Sequence, residues 1–185
     1  MQSTITNERT EQMKKNIPVN EEEPTMYETE NDLPKPARIA LNQLMNQRLA
    51  DAIDLQSQIK QAHWNVKGPS FIGLHKLFDE VDEAVESYVD LIAERIVQLG
   101  GIAEGTARVA VSRTRLPEYP LDIADGMAHV EAVARALSTF GEAVRATIDE
   151  TDALDDKDTA DIFTEISRGI DKWLWFVEAH SQATK

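Results

Sequence analysis

Residues 70–101 read SFIGLHKLFDEVDEAVESYVDLIAERIVQLGG, and the fold turns on this stretch. Leu74, Leu77, Phe78, Val81, Val85, Tyr88, Ile92, Ile96 and Leu99 draw one apolar stripe at helical spacing, which predicts an amphipathic helix. Ser70 stands where an N-cap is expected, and Gly100-Gly101 ends the segment. Upstream, Gly68-Pro69 stops a first helix that begins near Pro36 and carries Ile39, Leu44, Leu49, Ile53 and Ile59. Downstream, residues 102–121 hold Pro117 and Pro120 and lack helical rhythm. A third helix is expected over about residues 122–150. Asp155, Asp156 and Asp158 open a fourth, with Ile162, Ile166, Ile170, Leu174 and Val177 on one face.

Four long helices without a convincing strand imply an all-α four-helix bundle. Turns of a few residues join the first helix to the second and the third to the fourth, so each pair is antiparallel. The middle connection is about 20 residues, which at ~3.3 Å per residue can travel the whole bundle. That length permits the single long crossover of ferritin-like folds, between the second and third helices. An up-down bundle with a loose middle loop is the alternative. Residues 36–181 make the bundle and residues 182–185 a short tail. Residues 1–35 form a polar leader broken by Pro18, Pro24 and Pro34. With little to bury, the leader is expected to be disordered or loosely draped.

Composition bounds the chemistry. Lys and Arg total 19 against 33 Asp and Glu, a formal charge of −14. Such a chain repels phosphate backbones at long range and draws cations, so binding DNA by general electrostatics is disfavoured. The leader, with four basic and eight acidic residues, does not reverse this. There is no cysteine, which excludes disulfides and thiolate metal sites. Any metal must be held by His, Asp or Glu, donors that suit iron or manganese better than structural zinc. No apolar run nears the ~18–20 residues that cross a bilayer, and residues 1–10 lack the apolar stretch of a signal peptide. A soluble, cytoplasmic protein is expected, with no membrane partner.

One constellation carries chemistry. His75 and Asp79 stand at i, i+4, as do Asp90 and Glu94, so each pair shares a face and can grip one ion. Asp79 and Asp90 are eleven residues apart, close to three turns, so all four side chains point the same way. Yet that separation is ~16 Å along the axis, far beyond one coordination sphere. Another helix of the same chain could complete the site, as Glu-x-x-His motifs do in di-iron bundles, but this sequence has no Glu-x-x-His. A two-fold axis that lays two copies of the helix antiparallel is the other solution. It brings His75 and Asp79 of one copy against Asp90 and Glu94 of the next, with His63 joining the first pair. Two identical sites per dimer follow. For any one pair alone, plain surface charge competes with this reading, and a lone His is more often structural than a ligand.

The stretch His63-Trp64-Asn65-Val66-Lys67-Gly68-Pro69, continued by Phe71-Ile72-Gly73-Leu74-His75-Lys76-Leu77-Phe78-Asp79-Glu80, strongly resembles the Dps (DNA-protection-during-starvation) mini-ferritins. The resemblance runs through residues 93–101, 120–123, 158–162 and 171–176, and covers about residues 36–180. It implies a hollow dodecamer of identical subunits with ferroxidase sites at its two-fold interfaces. The implied ligands are His63, His75 and Asp79 from one subunit and Asp90 and Glu94 from the next, holding two irons per site. It also implies oxidation of Fe(II) with hydrogen peroxide in preference to oxygen, and storage of ferric oxide in the cavity. Trp64 and Trp175 match family tryptophans near the site, either as redox aromatics or simply as packing. Asp156 and Asp161 match positions lining three-fold pores, with Lys157 where a further acid is frequent; helix-start acids complementing the macrodipole are the plainer reading. Glu83 and Glu86 are candidates for the cavity wall. The rival reading within the family is a nucleoid-associated DNA-condensing protein, which the acidic leader disfavours. His129, four residues after Asp125 and so placed to pair with it, and His180 are left over and expected at the surface.

Overall fold

The computed structural model describes residues 24–182 of the chain. Most of the expected leader (1–23) and tail (183–185) lies outside the described residues. Among these residues five helices follow in order: α1 (Lys35–Asn65), α2 (Phe71–Gln98), α3 (Ala107–Arg113), α4 (Gly126–Asp152) and α5 (Lys157–Gln182). The four long ones match the four expected. Pro36 stands in the first turn of α1, where a missing N–H costs nothing. Asp125 caps α4 by accepting from the backbone of Met127 and Ala128 at 2.9 and 3.3 Å, so α4 starts four residues later than expected. Ser70, expected to cap α2, makes no side-chain cap bond. Gly68, at φ +105°, makes the turn instead, and its carbonyl accepts from Phe71 N–H at 3.0 Å.

The core is continuous along the bundle, and the predicted α2 stripe supplies its share. On α1 only Leu49 and Ile59 of the predicted stripe are buried, and Leu41, Met45 and Leu55 take the places expected for Ile39, Leu44 and Ile53. Leu41, Leu49, Leu55 and Ile59 of α1 meet Phe78, Val81, Val85, Ile92 and Ile96 of α2, with Phe140 of α4 and Phe163, Ile166 and Ile170 of α5. No helix among the described residues is long and apolar enough to cross a membrane.

Two contacts establish the topology. Lys67 N–H donates to Ala124 O at 3.1 Å, placing the start of α4 beside the α1–α2 turn. Arg95 Nη2 lies 2.8 Å from Asp156 Oδ1, placing the start of α5 beside the end of α2. The chain therefore leaves α2 at one end of the bundle and enters α4 at the other. Ferritin-like bundles are made with this crossover, and it rules out the up-down alternative.

The crossover is fastened rather than loose. Asn46 Nδ2 donates to Ile102 O and its Oδ1 accepts from Glu104 N–H; Gln47 donates to Arg113 O. Asp51 accepts from Arg115 N–H at 2.9 Å, Asp54 from the Thr114 hydroxyl at 2.7 Å, and Gln58 donates to Pro117 O at 3.0 Å. The polar residues of α1 thus supply partners along the length of a connection that has no ladder of its own. The short helix α3 sits in this stretch, where the sequence reading expected no helix; seven residues are too few to show an apolar period.

Residues 24–34 drape over the end of α2. Tyr27 N–H donates to Gly100 O at 2.7 Å, and Arg38 bridges Leu33 O and Leu99 O, each at 3.1 Å. Gly100 has φ +81°, and a Cβ there would come within 2.5 Å of Tyr27 O. Both backbone conformation and close approach demand glycine at that position.

Candidate metal centre

The α1–α2 turn folds the chain back so that the last turn of α1 faces the first turn of α2. His63 and His75 meet there, ring against ring, with centroids 3.8 Å apart and planes at 21°. Each ring is fixed by the backbone of the other: His63 Nδ1 lies 2.8 Å from His75 O, and His75 Nδ1 lies 2.9 Å from His63 O. A carbonyl can only accept, so each Nδ1 carries the proton. In the neutral ring each Nε2 is then left with its lone pair, the arrangement metal-binding imidazoles use. The pair has a fixed tautomer and orientation before any ion arrives.

Asp79 stands one turn further along α2, its Oδ1 3.7 Å from His63 Nδ1. The same oxygen accepts from Lys60 Nζ at 2.8 Å, and Lys60 also reaches Asp82 Oδ2 at 2.8 Å. Hydrogen bonding from Lys60 holds the Asp79 carboxyl below its usual range, and the two aspartates raise the Lys60 ammonium above its own. Neither Lys60 nor Asp82 featured among the expected site residues. Lys60, three before His63, shares its face of α1, and that spacing was the available signal.

The structure brings His63 against His75 and sets Asp79 beside His63, and it leaves Asp90 and Glu94 apart, both exposed further along α2. Among the described residues no three His, Asp or Glu side chains of one chain converge to hold a metal ion. The donor set of two imidazole nitrogens and a carboxylate fits Fe(II), with Asp90 and Glu94 facing outward as further hard oxygens.

The other expected residues separate clearly. Trp64 and Trp175 are 68% and 62% exposed. Trp175 packs edge-on against Phe176, with centroids 4.9 Å apart, and lines an open cleft with Lys76 and Glu80, which flank His75 and Asp79 on α2. Asp161 is exposed, as are Glu83 and Glu86. Asp156 is not free to face a pore: it is buried, ion-paired with Arg95, and accepts from Thr159 N–H at 3.1 Å and from the Thr159 hydroxyl. Its carboxylate starts α5 and ties it to α2. His180 is exposed on the last turn of α5, as expected.

His129 departs from expectation, being 1% exposed. The Tyr119 hydroxyl, at the end of the crossover, lies 2.6 Å from its Nδ1. Burial holds the imidazole below its usual value, with the Asn65 backbone opposing, and burial alone pushes the Tyr119 hydroxyl up. His129 therefore does not pair with Asp125; it joins the crossover to α4 behind the α1–α2 turn.

Comparison with known proteins places this architecture. The ferritin-like domain family matches residues 42–185. A DNA protection during starvation protein of Agrobacterium fabrum is 44% identical over 156 residues, 84% of this chain and 96% of its own length. A fine tangled pili major subunit of Haemophilus ducreyi is 33% identical over 136 residues, 74% of this chain and 71% of its own. DpsA14 from Streptomyces coelicolor superposes with a TM-score of 0.81 at 32% identity, covering 86% of this chain and 94% of that one. Relatives with such different names leave function to be argued from the site. Fold, crossover and histidine turn together place the chain in the ferritin-like family, as a member of its Dps mini-ferritins.

Proposed function

We propose that this protein oxidises Fe(II) at sites shared between subunits and stores the ferric product inside a shell of identical chains, limiting oxidative damage. The observation that carries the reading is the reciprocal His63–His75 lock. Two imidazoles are oriented for a metal that one chain cannot enclose. A two-fold axis that sets α2 against its copy supplies what is missing: Asp90 of the partner subunit and Glu94 of the partner subunit complete the set of donors. Two such sites form per dimer, each taking two irons, and a closed dodecamer repeats them around a cavity.

In this scheme His63 and His75 bind Fe(II) through Nε2. Asp79 and the two partner carboxylates favour the ferric product by their hard anionic oxygens. Hydrogen peroxide is the preferred oxidant, with oxygen as a slower substitute. Two Fe(II) ions each give one electron, the peroxide O–O bond breaks, and two protons from solvent complete two waters. No hydroxyl radical is released when both electrons arrive together. Trp64, next to His63 in the chain, and Trp175, in the cleft with Lys76 and Glu80, are the aromatics that would intercept stray oxidising equivalents. Asp161 serves cation entry at a three-fold pore, and Glu83 and Glu86 face the cavity.

Protection of DNA, which the relatives' name declares of them, here comes from removing iron and peroxide rather than from binding the duplex. The formal charge of −14 supports this. A cytoplasmic location accords with it. Size-exclusion with light scattering, followed by peroxide titration of Fe(II), tests the reading. Wild type is expected to assemble and to consume two Fe(II) per peroxide; His63→Ala/His75→Ala is expected to assemble yet oxidise no faster than buffer. A double variant with unimpaired oxidation would refute the site.

A further inference from the structure

Lys60 lies between two carboxylates of unlike exposure, and this sets the order in which its bonds can break. Its ammonium is 2.8 Å from Asp79 Oδ1 and 2.8 Å from Asp82 Oδ2. In the single chain the Asp79 side chain is 44% exposed and the Asp82 side chain only 10%. An ion pair at the exposed end is weak, because water replaces either partner easily. At the buried end, leaving a carboxylate unpaired is costly. A cation arriving at Asp79 therefore displaces Lys60 from that carboxylate, while Lys60 stays with Asp82. Space exists for the movement, since an open cleft lined by Gln56, Ser57, Lys60, Asp82 and Glu86 lies on that side.

From this we infer that Lys60 and Asp82 form an internal competitor that sets the metal affinity of the Asp79 half-site, with Asp82 receiving the ammonium that the metal displaces. The inference rests on the metal-site reading above and adds two residues to it. Lys60 keeps its charge throughout and only changes partner. Asp82 binds no metal; it acts through Lys60. Without Asp82 the ammonium would have Asp79 as its main acceptor and would compete harder.

The test is a Co(II) titration of the assembled protein, reading the visible ligand-field bands, with Zn(II) competition for affinity and light scattering for assembly. Lys60→Met is expected to bind about threefold more tightly than wild type, the scale of one partly exposed ion pair removed from the competing side. Asp82→Asn is expected to bind several-fold more weakly. Because Lys60→Met strands a buried carboxylate, Lys60→Met/Asp82→Asn is the cleaner comparison, and it is expected to match Lys60→Met. This non-additivity marks Asp82 as acting through Lys60. Unchanged affinity in both Lys60 variants would overturn the inference. So would equal weakening by Asp82→Asn with and without Lys60, which would make Asp82 a direct electrostatic contributor. Failure of the underlying site looks different: His63→Ala/His75→Ala would then give the wild-type Co(II) spectrum.

Discussion

At the residue scale, the site histidines hold each other: each Nδ1–H is committed to the other residue's carbonyl, which leaves each Nε2 for a ligand. Spacing along one helix paired His75 with Asp79, because periodicity reports which residues share a face. It could not report the stacking, which depends on the α1–α2 turn. His129 escaped for a similar reason. A lone histidine beside an aspartate reads as a surface residue until the crossover closes over it and brings Tyr119 to its ring. That pair predicts a pH dependence. The His129 pKa is lowered in the folded protein, so between that value and the unfolded value of about 6.5 the unfolded state binds more protons. Its contribution is present above pH ~6.5 and fades as pH falls toward the folded pKa. Urea denaturation across pH 5–8 should show wild type losing stability toward the acid end, and His129→Asn should flatten that slope. An unchanged slope would exclude His129 as its source. Tyr119→Phe, which strands the buried Nδ1, should cost about 1–3 kcal/mol in the same assay at pH 8.

At the element scale, the four long helices were legible because stripes of twenty-five residues or so leave little ambiguity about period. Their ends were less so. Ser70 had the chemistry of a cap but Gly68 makes the turn, and α4 waits for Asp125. The acids before α5 read equally as pore or as helix start, and the buried Arg95–Asp156 pair shows Asp156 serving the helix start. No pattern in one segment can disclose a partner sixty residues away. Removing that partner has a stated consequence. Asp156→Ala leaves Arg95 buried and unpaired, so it should lower stability by about 3 kcal/mol, measured by urea denaturation under conditions where unfolding is reversible. A loss no larger than for an exposed charge would show that the tie between α2 and α5 lies elsewhere. The crossover offers the converse lesson. Its prolines and missing rhythm showed only a connection long enough to cross the bundle, and gave no sign that α1 holds it from Asn46 to Gln58 with side-chain partners.

At the scale of the whole molecule, what a single chain leaves exposed becomes informative. Trp64 and Trp175 are largely uncovered, while Trp173 is buried. If α2 and its neighbours pack against a second copy, acrylamide should quench tryptophan emission less in the assembled protein than in a dissociated variant. Equal quenching would place both indoles outside the contact. Net charge predicts that no gel shift of duplex DNA occurs at low-micromolar protein in ~150 mM salt, and a shifted band would restore the nucleoid reading. The central claim, that each site takes ligands from two subunits, is tested most directly by mixing. His63→Ala/His75→Ala subunits retain only the acid half of each site, and Asp90→Asn/Glu94→Gln subunits retain only the histidine half. Each variant alone should be inactive. Unfolded together and refolded, they should regain about a quarter of the wild-type Fe(II) oxidation, since half the dimers are mixed and each mixed dimer holds one intact site of two. Refolded mixtures that assemble but oxidise no iron would contradict the account.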